Sequence, residues 1–392
     1  MALAVGLAVV VVGMLLGFLA FGFAAVSMCT ARKLSDEAME LPEGQAWPLV
    51  SIIVPACNEA TTLEAAAKTL LELDYPNLEI VWVNDRSDDG TGAIVDALGR
   101  ADERAIAQHV TELPPGWLGK VHAMHVGTQR ASGDLLLFTD ADVHFAPDTV
   151  KRAVAWMERE KLGHLTLLPK FLGNSFAMNS TISCFAVGYL ALVRAWMLGK
   201  EGLDAYAGVG AFGMVRRADF DRTPGWEWLR LELADDVGLG MLMVREANSP
   251  SRLGLGAEHL SICWYESLGD LVRGLEKNAF GAILSFKIHR LLWVTSVMMV
   301  MSISPLVCLF SGISWLQGLA VCALLFVSVV ATIFRPLSGQ PVLSTILSPL
   351  ATPVIVVAAW RSAWFAVKND GVGWRGTHYP LAELREGRRI DL

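Results

Sequence analysis

Apolar residues crowd the two ends of the chain and alternate in short blocks with polar ones between them, so the pattern divides the sequence before any motif is considered. Ala2 to Met28 is an almost unbroken apolar run without charge, and about 20 such residues span a bilayer. No basic segment precedes it and Arg32-Lys33 follow it. This favours a retained anchor over a cleaved signal peptide, with the following chain on the cytoplasmic side. Residues 31–48 form a polar, acidic linker ending at Trp47-Pro48.

From Leu49 the texture changes. Leu49–Pro55 reads as a buried strand, Ala60–Leu73 as a helix with Asn58 as a candidate cap, and Leu78–Asn84 as a second strand. A polar turn from Asp85 to Thr91 leads into a helix ending near Gly99, and His122–Ala131 reads as another helix. Leu135–Phe138 is a short apolar strand that runs into Thr139-Asp140-Ala141-Asp142. A helix to about Lys161 and a strand at Gly163–Pro169 follow. Strands alternating with helices predict an α/β fold, a mostly parallel sheet with helices on both faces. Residues 175–199 are apolar and aromatic, which suits a core helix or a helix in the membrane interface. Ala207–Val215 is glycine-rich but does not match a dinucleotide fingerprint; its glycines fit close approach to a ligand or another strand.

Leu291–Ile313 and Trp315–Phe334 again reach spanning length. Val342–Val367 is apolar but broken by Pro349 and Pro353 and carries Arg361. It fits a span or a re-entrant or interfacial segment. Three spans would put the tail outside, whereas Arg375, Arg385, Arg388 and Arg389 favour a tail inside. The inside tail is the reading adopted. The expected units are an anchor at 1–30, a linker at 31–48, a catalytic domain at 49–290, membrane or re-entrant segments at 291–367 and a basic tail at 368–392.

Composition adds two exclusions. The chain has 392 residues, 53% hydrophobic and 18% charged, with net charge -7. There is no basic stripe for nucleic acid. The six cysteines are scattered with no CxxC, which supports neither a zinc site nor a disulfide framework and fits a reducing compartment.

The chemistry lies in acidic clusters at strand ends and one helix start: Asn58-Glu59, Asp85 with Asp88 and Asp89, Asp140 with Asp142, and Asp235-Asp236. Each alone fits a cap or turn. Together, at one sheet edge, they would repel one another unless a cation sits there. The i, i+2 carboxylates of Asp140 and Asp142 suit a hard cation, Mg²⁺ or Mn²⁺, that also holds phosphate oxygens.

These pieces resemble the family 2 glycosyltransferases over about residues 49–290. The likeness is carried by Val54-Pro55-Ala56-Cys57-Asn58-Glu59, Val83-Asn84-Asp85-Arg86-Ser87-Asp88-Asp89-Gly90-Thr91, Gly119-Lys120, Ala131-Ser132-Gly133-Asp134, Asp140-Ala141-Asp142 and Leu233-Ala234-Asp235-Asp236. The order of apolar segments, and Gly373-Trp374-Arg375-Gly376-Thr377-His378-Tyr379 near the end, look most like the ceramide glucosyltransferase-like and hopanoid- or carotenoid-associated branch. The resemblance implies a GT-A fold flanked by transmembrane helices. It implies a donor site for a nucleotide-sugar, most often a UDP-sugar, with Pro55, Glu59, Asp85, Lys120, Asp140 and Asp142. It implies that Asp142, with Asp140, ligates the metal and that Asp236 is the general base of an inverting transfer, with Asp235 raising its pKa. The expected acceptor is a lipid hydroxyl at the cytoplasmic leaflet of a bacterial inner membrane.

One departure is clear. The family's Q/RxxRW motif has no Arg-Trp pair here; the stretch is Val272-Arg273-Gly274-Leu275-Glu276-Lys277. Arg273 and Lys277 then fit either diphosphate binding or a solvated helix face, and Trp264 either sugar stacking or the core. The missing pair weighs against a processive polysaccharide synthase, which would also need more spans. A catalytically dead nucleotide-sugar-binding scaffold is the alternative from another class, opposed by the intact carboxylates. A transporter is excluded by apolar segments with almost no charge apart from Arg361.

Overall fold

The structure is a computed structural model, and it describes residues 2–200 and 203–390. Met1 of the expected anchor and the last residues of the expected tail, 391–392, lie outside the described residues, as does the pair 201–202. Twelve strands form three sheets. In chain order they are β1 Val50–Ala56, β2 Leu78–Asp85, β3 Ala105–Val110, β4 Leu135–Phe138, β5 His144–Phe145 and β6 His164–Leu168. Then come β7 Lys170–Phe171, β8 Gly213–Arg216, β9 Ser251–Leu255, β10 Leu260–Ile262, β11 Gly371–Trp374 and β12 Thr377–Pro380.

The main sheet has the order β3-β2-β1-β4-β8-β6-β9. All its pairings are parallel except those of β8, which runs antiparallel to both neighbours. It is a mixed, mostly parallel α/β sheet of the expected class. Its central strands are buried on both faces, and their alternation feeds two cores. Ile52, Val54, Ile80, Trp82, Leu135 and Leu137 point to one core. Ile53, Val81, Val83, Leu136 and Phe138 point to the other. Period-two alternation inside a fully apolar run is what a doubly covered parallel strand needs.

Several local expectations are adjusted. β3 falls in a stretch to which the pattern assigned no element, because Ala105–Val110 mixes Gln108 and His109 into an edge strand with one wet side. Asn58 does not cap a helix. The helix starts at Leu63, and Asn58 takes a left-handed turn (φ 57°) whose Oδ1 accepts from the Asp88 amide at 3.0 Å. The stretch from Leu260 holds β10, a helix at Leu268–Leu275 and a π-helical turn at Ala279–Ile283. The expected tail is folded: β11 and β12 make an antiparallel hairpin, and a helix spans Leu381–Gly387.

Among the described residues, four helices are long and apolar enough to cross a membrane: Val5–Thr30, Ile288–Leu309, Ser314–Ser338 and Ser348–Lys368. The last includes a break, a 3-10 turn at Ser348–Ala351 with Pro349, before the helix Thr352–Lys368. The linker is pinned to the sheet domain. Lys33 bridges to Leu255 on β9, and the buried Glu37 takes both Arg32, at 2.6 Å, and Arg159.

The helix Asp235–Arg245 packs backbone to backbone on the glycine-rich loop. A Cβ on Gly240 would lie 2.0 Å from the Ala207 carbonyl oxygen, and one on Gly208 would lie 1.7 Å from the Asp236 carbonyl oxygen. Neither partner is a flexible side chain, so neither glycine tolerates a methyl without backbone movement. Gly240→Ala should destabilise the domain by about 1–3 kcal/mol, read as a lower unfolding temperature of the detergent-solubilised chain.

Candidate active site

Three parallel strands deliver acidic residues to one edge. Glu59 follows β1, Asp85 ends β2, and Asp140 and Asp142 follow β4, all at the C-terminal side where open α/β sheets bind ligands. The helix Asp235–Arg245 brings Asp235 and Asp236 to the same place from the far side of the glycine-rich loop.

Lys120 joins these parts. It stands in the first turn of the helix Gly119–Arg130, and its Nζ lies 2.7 Å from Asp140 Oδ1 and 2.9 Å from Asp235 Oδ2. Burial pulls the ammonium down, but Asp140, Asp235 and Asp236 outweigh it and hold its pKa well above the usual lysine range. Two acidic motifs about a hundred residues apart are thus bridged by one cation.

Asp236 is held differently. Its Oδ2 accepts from the Gly210 amide at 3.0 Å, and its Oδ1 from the Val237 amide at 2.8 Å. Burial and the adjacent Asp235 push its pKa well above the ordinary carboxylate range, against the pull of Lys120. The loop that holds it is itself held by Tyr189. That hydroxyl donates to the Gly208 carbonyl at 2.5 Å and accepts from the Gly208 amide at 3.3 Å. Tyr189 comes from the apolar helix Phe176–Leu192, so the segment read as core or interfacial also reaches the loop that holds Asp236. Gly210 sits against the other carboxylate, where a Cβ would lie 2.5 Å from Asp140 Oδ2. The loop glycines therefore serve close approach to both acidic clusters.

Asp142 is pushed up to about 7 by burial, then by Asp140 and Glu59. This donor set fits a divalent cation: two carboxylates, in excess of local positive charge, whose mutual repulsion a cation would relieve. Among the described residues no cluster of three or more metal-ligating side chains is present, so phosphate and water oxygens would supply the remaining ligands, as Mg²⁺ prefers.

The side of the site next to the ends of β1 and β2 is arranged in arginine pairs. Asp85 is buried and takes Arg86 through both oxygens, at 2.8 and 3.2 Å. Glu59 Oε1 takes Arg375 Nη2 at 2.5 Å, and its Oε2 accepts from Thr62 at 3.0 Å. Pro55 lies within β1 beside Val83 of β2. Lys277 enters the site, with Asp235 among the charges nearest to it, and its Nζ lies 4.2 Å from the centre of the Trp374 ring. Arg273 does not enter it. It is exposed and paired with Asp270 at 2.5 Å, one helix turn away. Trp264 lies in an aromatic cluster, with ring centres 4.6 Å from Phe185, 5.1 Å from Tyr265 and 5.6 Å from Phe171. No side chain of the carboxylate edge is among these partners.

The residues that sequence reasoning left without a role are Tyr189 and the hairpin residues Trp374, Arg375, Thr377 and Tyr379. Thr377 Oγ1 accepts from Arg86 at 3.2 Å, and Tyr379 OH accepts from the Gly119 amide at 3.2 Å. The signal for the hairpin was its aromatic and basic motif after an apolar segment. Tyr189 gave none, being one aromatic among many.

Comparison with known proteins places a glycosyltransferase domain in this chain. The model of Glycosyl transferase family 2 matches residues 51–188. The probable glycosyltransferase YdaM of Bacillus subtilis is 36% identical over 97 residues, 24% of this chain and 23% of that protein. The beta-monoglucosyldiacylglycerol synthase of a Nostoc species is 27% identical over 198 residues, 49% of this chain and 40% of that protein. These alignments thus span less than half of either relative's own length. Among solved structures, the mannosyltransferase PcManGT from Pyrobaculum calidifontis, in complex with GDP-Man and Mn²⁺, superposes with a TM-score of 0.53 over 91% of this chain and 99% of that one, at 17% identity. At that identity the likeness is one of fold.

Lys120→Met would strand Asp140 and Asp235 against each other. The variant should lose about 1–3 kcal/mol of stability. The loss should be larger at pH 8 than at pH 5, because Asp142 and Asp236, raised by burial and like charge and held down by Lys120, take up protons as pH falls and relieve the repulsion. Thermal unfolding of the full chain at the two pH values checks the sign.

Proposed function

We propose that this chain, which carries a glycosyl transferase family 2 domain of GT-A fold, is a membrane-bound enzyme that moves one sugar from a nucleotide-sugar to a lipid hydroxyl. The observation that carries the chemistry is the single cluster formed by Asp140, Asp142, Lys120, Asp235 and Asp236 at the sheet's C-terminal edge. Asp140 and Asp142 would hold Mg²⁺ or Mn²⁺, which when bound neutralises the donor diphosphate and helps it leave. Lys120 holds Asp140 in place and adds positive charge beside the diphosphate. Asp236 takes the proton from the acceptor hydroxyl, and its raised pKa suits a base working near neutral pH. A single displacement would invert the anomeric configuration. Asp85 and Glu59 face the nucleoside, and UDP is the nucleotide proposed.

The lipid acceptor is supported by the apolar helices and by the name of the Nostoc relative. It also agrees with the ceramide glucosyltransferase-like or hopanoid- and carotenoid-associated branch as the finer placement. The helix Phe176–Leu192, which carries Tyr189 at one end of the loop under Asp236, offers an apolar route from the membrane to the base.

Topology follows from parity. The hairpin after the last apolar helix touches Glu59, Arg86 and Gly119, so both ends of residues 288–368 meet the catalytic side. An even number of crossings is then required. Ile288–Leu309 and Ser314–Ser338 cross, and Thr352–Lys368 lies in the interface. Its Arg361 pairs with Glu276 of the catalytic domain at 2.6 Å, and its Trp360 and Trp364 are exposed as interfacial anchors are. The catalytic side is the cytoplasmic face of a bacterial inner membrane.

Asp236→Asn should lower transfer by about 10²–10⁴-fold while nucleotide binding is kept. The assay is the full chain in vesicles with UDP- and GDP-sugars and candidate lipid acceptors, products read by mass spectrometry. Turnover like that of the unaltered chain would remove Asp236 from the base role. A reporter fused after Leu392 should score as cytoplasmic; a periplasmic signal would overturn the interfacial placement of Thr352–Lys368.

A further inference from the structure

The hairpin β11–β12 closes the nucleoside side of the site from the end of the chain. Its turn is Arg375-Gly376, with φ of 47° and 76°. Two-residue turns with both residues left-handed favour Asn, Asp or Gly at the first position. An arginine there is a poor choice for the turn itself, so its side chain is the reason for its presence. That side chain reaches Glu59 Oε1 at 2.5 Å and the Asn58 carbonyl at 3.3 Å.

The rest of the hairpin is fixed independently of this tip. Val372 and Tyr379 are buried in the core beneath the sheet, Thr377 takes Arg86, and Tyr379 takes the Gly119 amide. Beyond it, Glu232 accepts from the Arg389 and Ile390 amides at 2.8 and 3.0 Å, three residues before Asp235. The hairpin is therefore a built wall of the site rather than a loose tail.

Trp374 has two cations against its indole. Lys277 Nζ lies 4.2 Å and Arg375 Cζ 5.7 Å from the ring centre. Among the described residues, Lys277 has no hydrogen bond or ion pair. Burial pushes it down to about 8 despite Asp235 nearby, so an anion arriving there would meet a group short of partners.

We infer that Arg375, at the tip of this hairpin, is a diphosphate-binding residue of the donor site, working with Lys277 across the Trp374 ring. The inference rests on the donor reading above. In the structure described, Arg375 is held by Glu59, a residue proposed to face the nucleoside. A donor offers both groups better partners at once. The planar guanidinium fork matches phosphate oxygens and their greater charge, and Glu59 is freed for the nucleoside. The donor thereby draws the hairpin tip from a carboxylate to itself, and the segment beyond the last apolar helix becomes part of the donor site.

The test compares Arg375→Gln and Arg375→Asn in the full chain, measuring affinity for UDP, GDP and the free nucleosides uridine and guanosine with Mn²⁺ present. Asn is the residue the turn prefers, so Arg375→Asn should keep or raise the unfolding temperature. Both variants should bind the nucleoside diphosphate about tenfold or more weakly while nucleoside affinity stays within a factor of about two. Unchanged diphosphate affinity would overturn the inference and leave the donor reading standing. Equal losses for nucleoside and diphosphate would also overturn it, assigning Arg375 to the shape of the pocket. If the unaltered chain binds neither diphosphate, the donor reading fails and the inference with it.

Discussion

The Lys120 ammonium between Asp140 and Asp235 is the contact on which the candidate site depends. A parallel sheet collects loop residues at one edge, and this chain puts carboxylates on the loops after β1, β2 and β4. A helix then adds two more from outside the sheet. Such a concentration of negative charge is stable only with cations placed inside it. Lys120 bridges the sheet edge to the helix, Arg86 covers Asp85, and Arg375 covers Glu59. Each of these pairs links parts far apart in the sequence or fixes a loop at its root. The arrangement leaves carboxylates and cations interleaved at one edge of the sheet.

Glycine makes the crowding possible. Gly208 and Gly210 let the loop pass between Asp236 and Asp140, and Gly119 lets a helix start against Asp85, where a Cβ would lie 2.5 Å from Oδ2. The glycine-rich stretch that fails as a dinucleotide fingerprint has a different use. It brings backbone amides to Asp236, and its packing on the helix Asp235–Arg245 fixes where that carboxylate points. The apolar helix Phe176–Leu192 supports the same loop through the Tyr189 hydroxyl.

Part of this was legible without coordinates. Buried parallel strands read as continuous apolar runs, so β1, β2, β4 and β6 and the α/β class followed from pattern. The carboxylates after β1, β2 and β4 were visible because strand ends in such folds carry ligands. Edge strand β3 was not visible, since its polar residues face water and weaken the alternation. Lys277 and Arg273 looked alike on one helix, four residues apart. Only packing separates them, turning one to the site and the other to Asp270.

The sequence by itself determined the class of fold, the apolar segments and the residues rich in chemistry, because each rests on local pattern: period, charge and spacing along a few residues. The tertiary structure decided which of those residues meet. Lys120 could have paired with any nearby acid, and no local rule sends it to Asp235. The hairpin after the last apolar helix read as a basic tail, since basic residues after a span are ordinarily solvated. Its docking on Glu59, Arg86 and Gly119 depends on how the preceding helix Thr352–Lys368 lies. Contacts between residues some three hundred positions apart leave no periodic trace in a single chain, because they are set by the path of the whole fold rather than by neighbours.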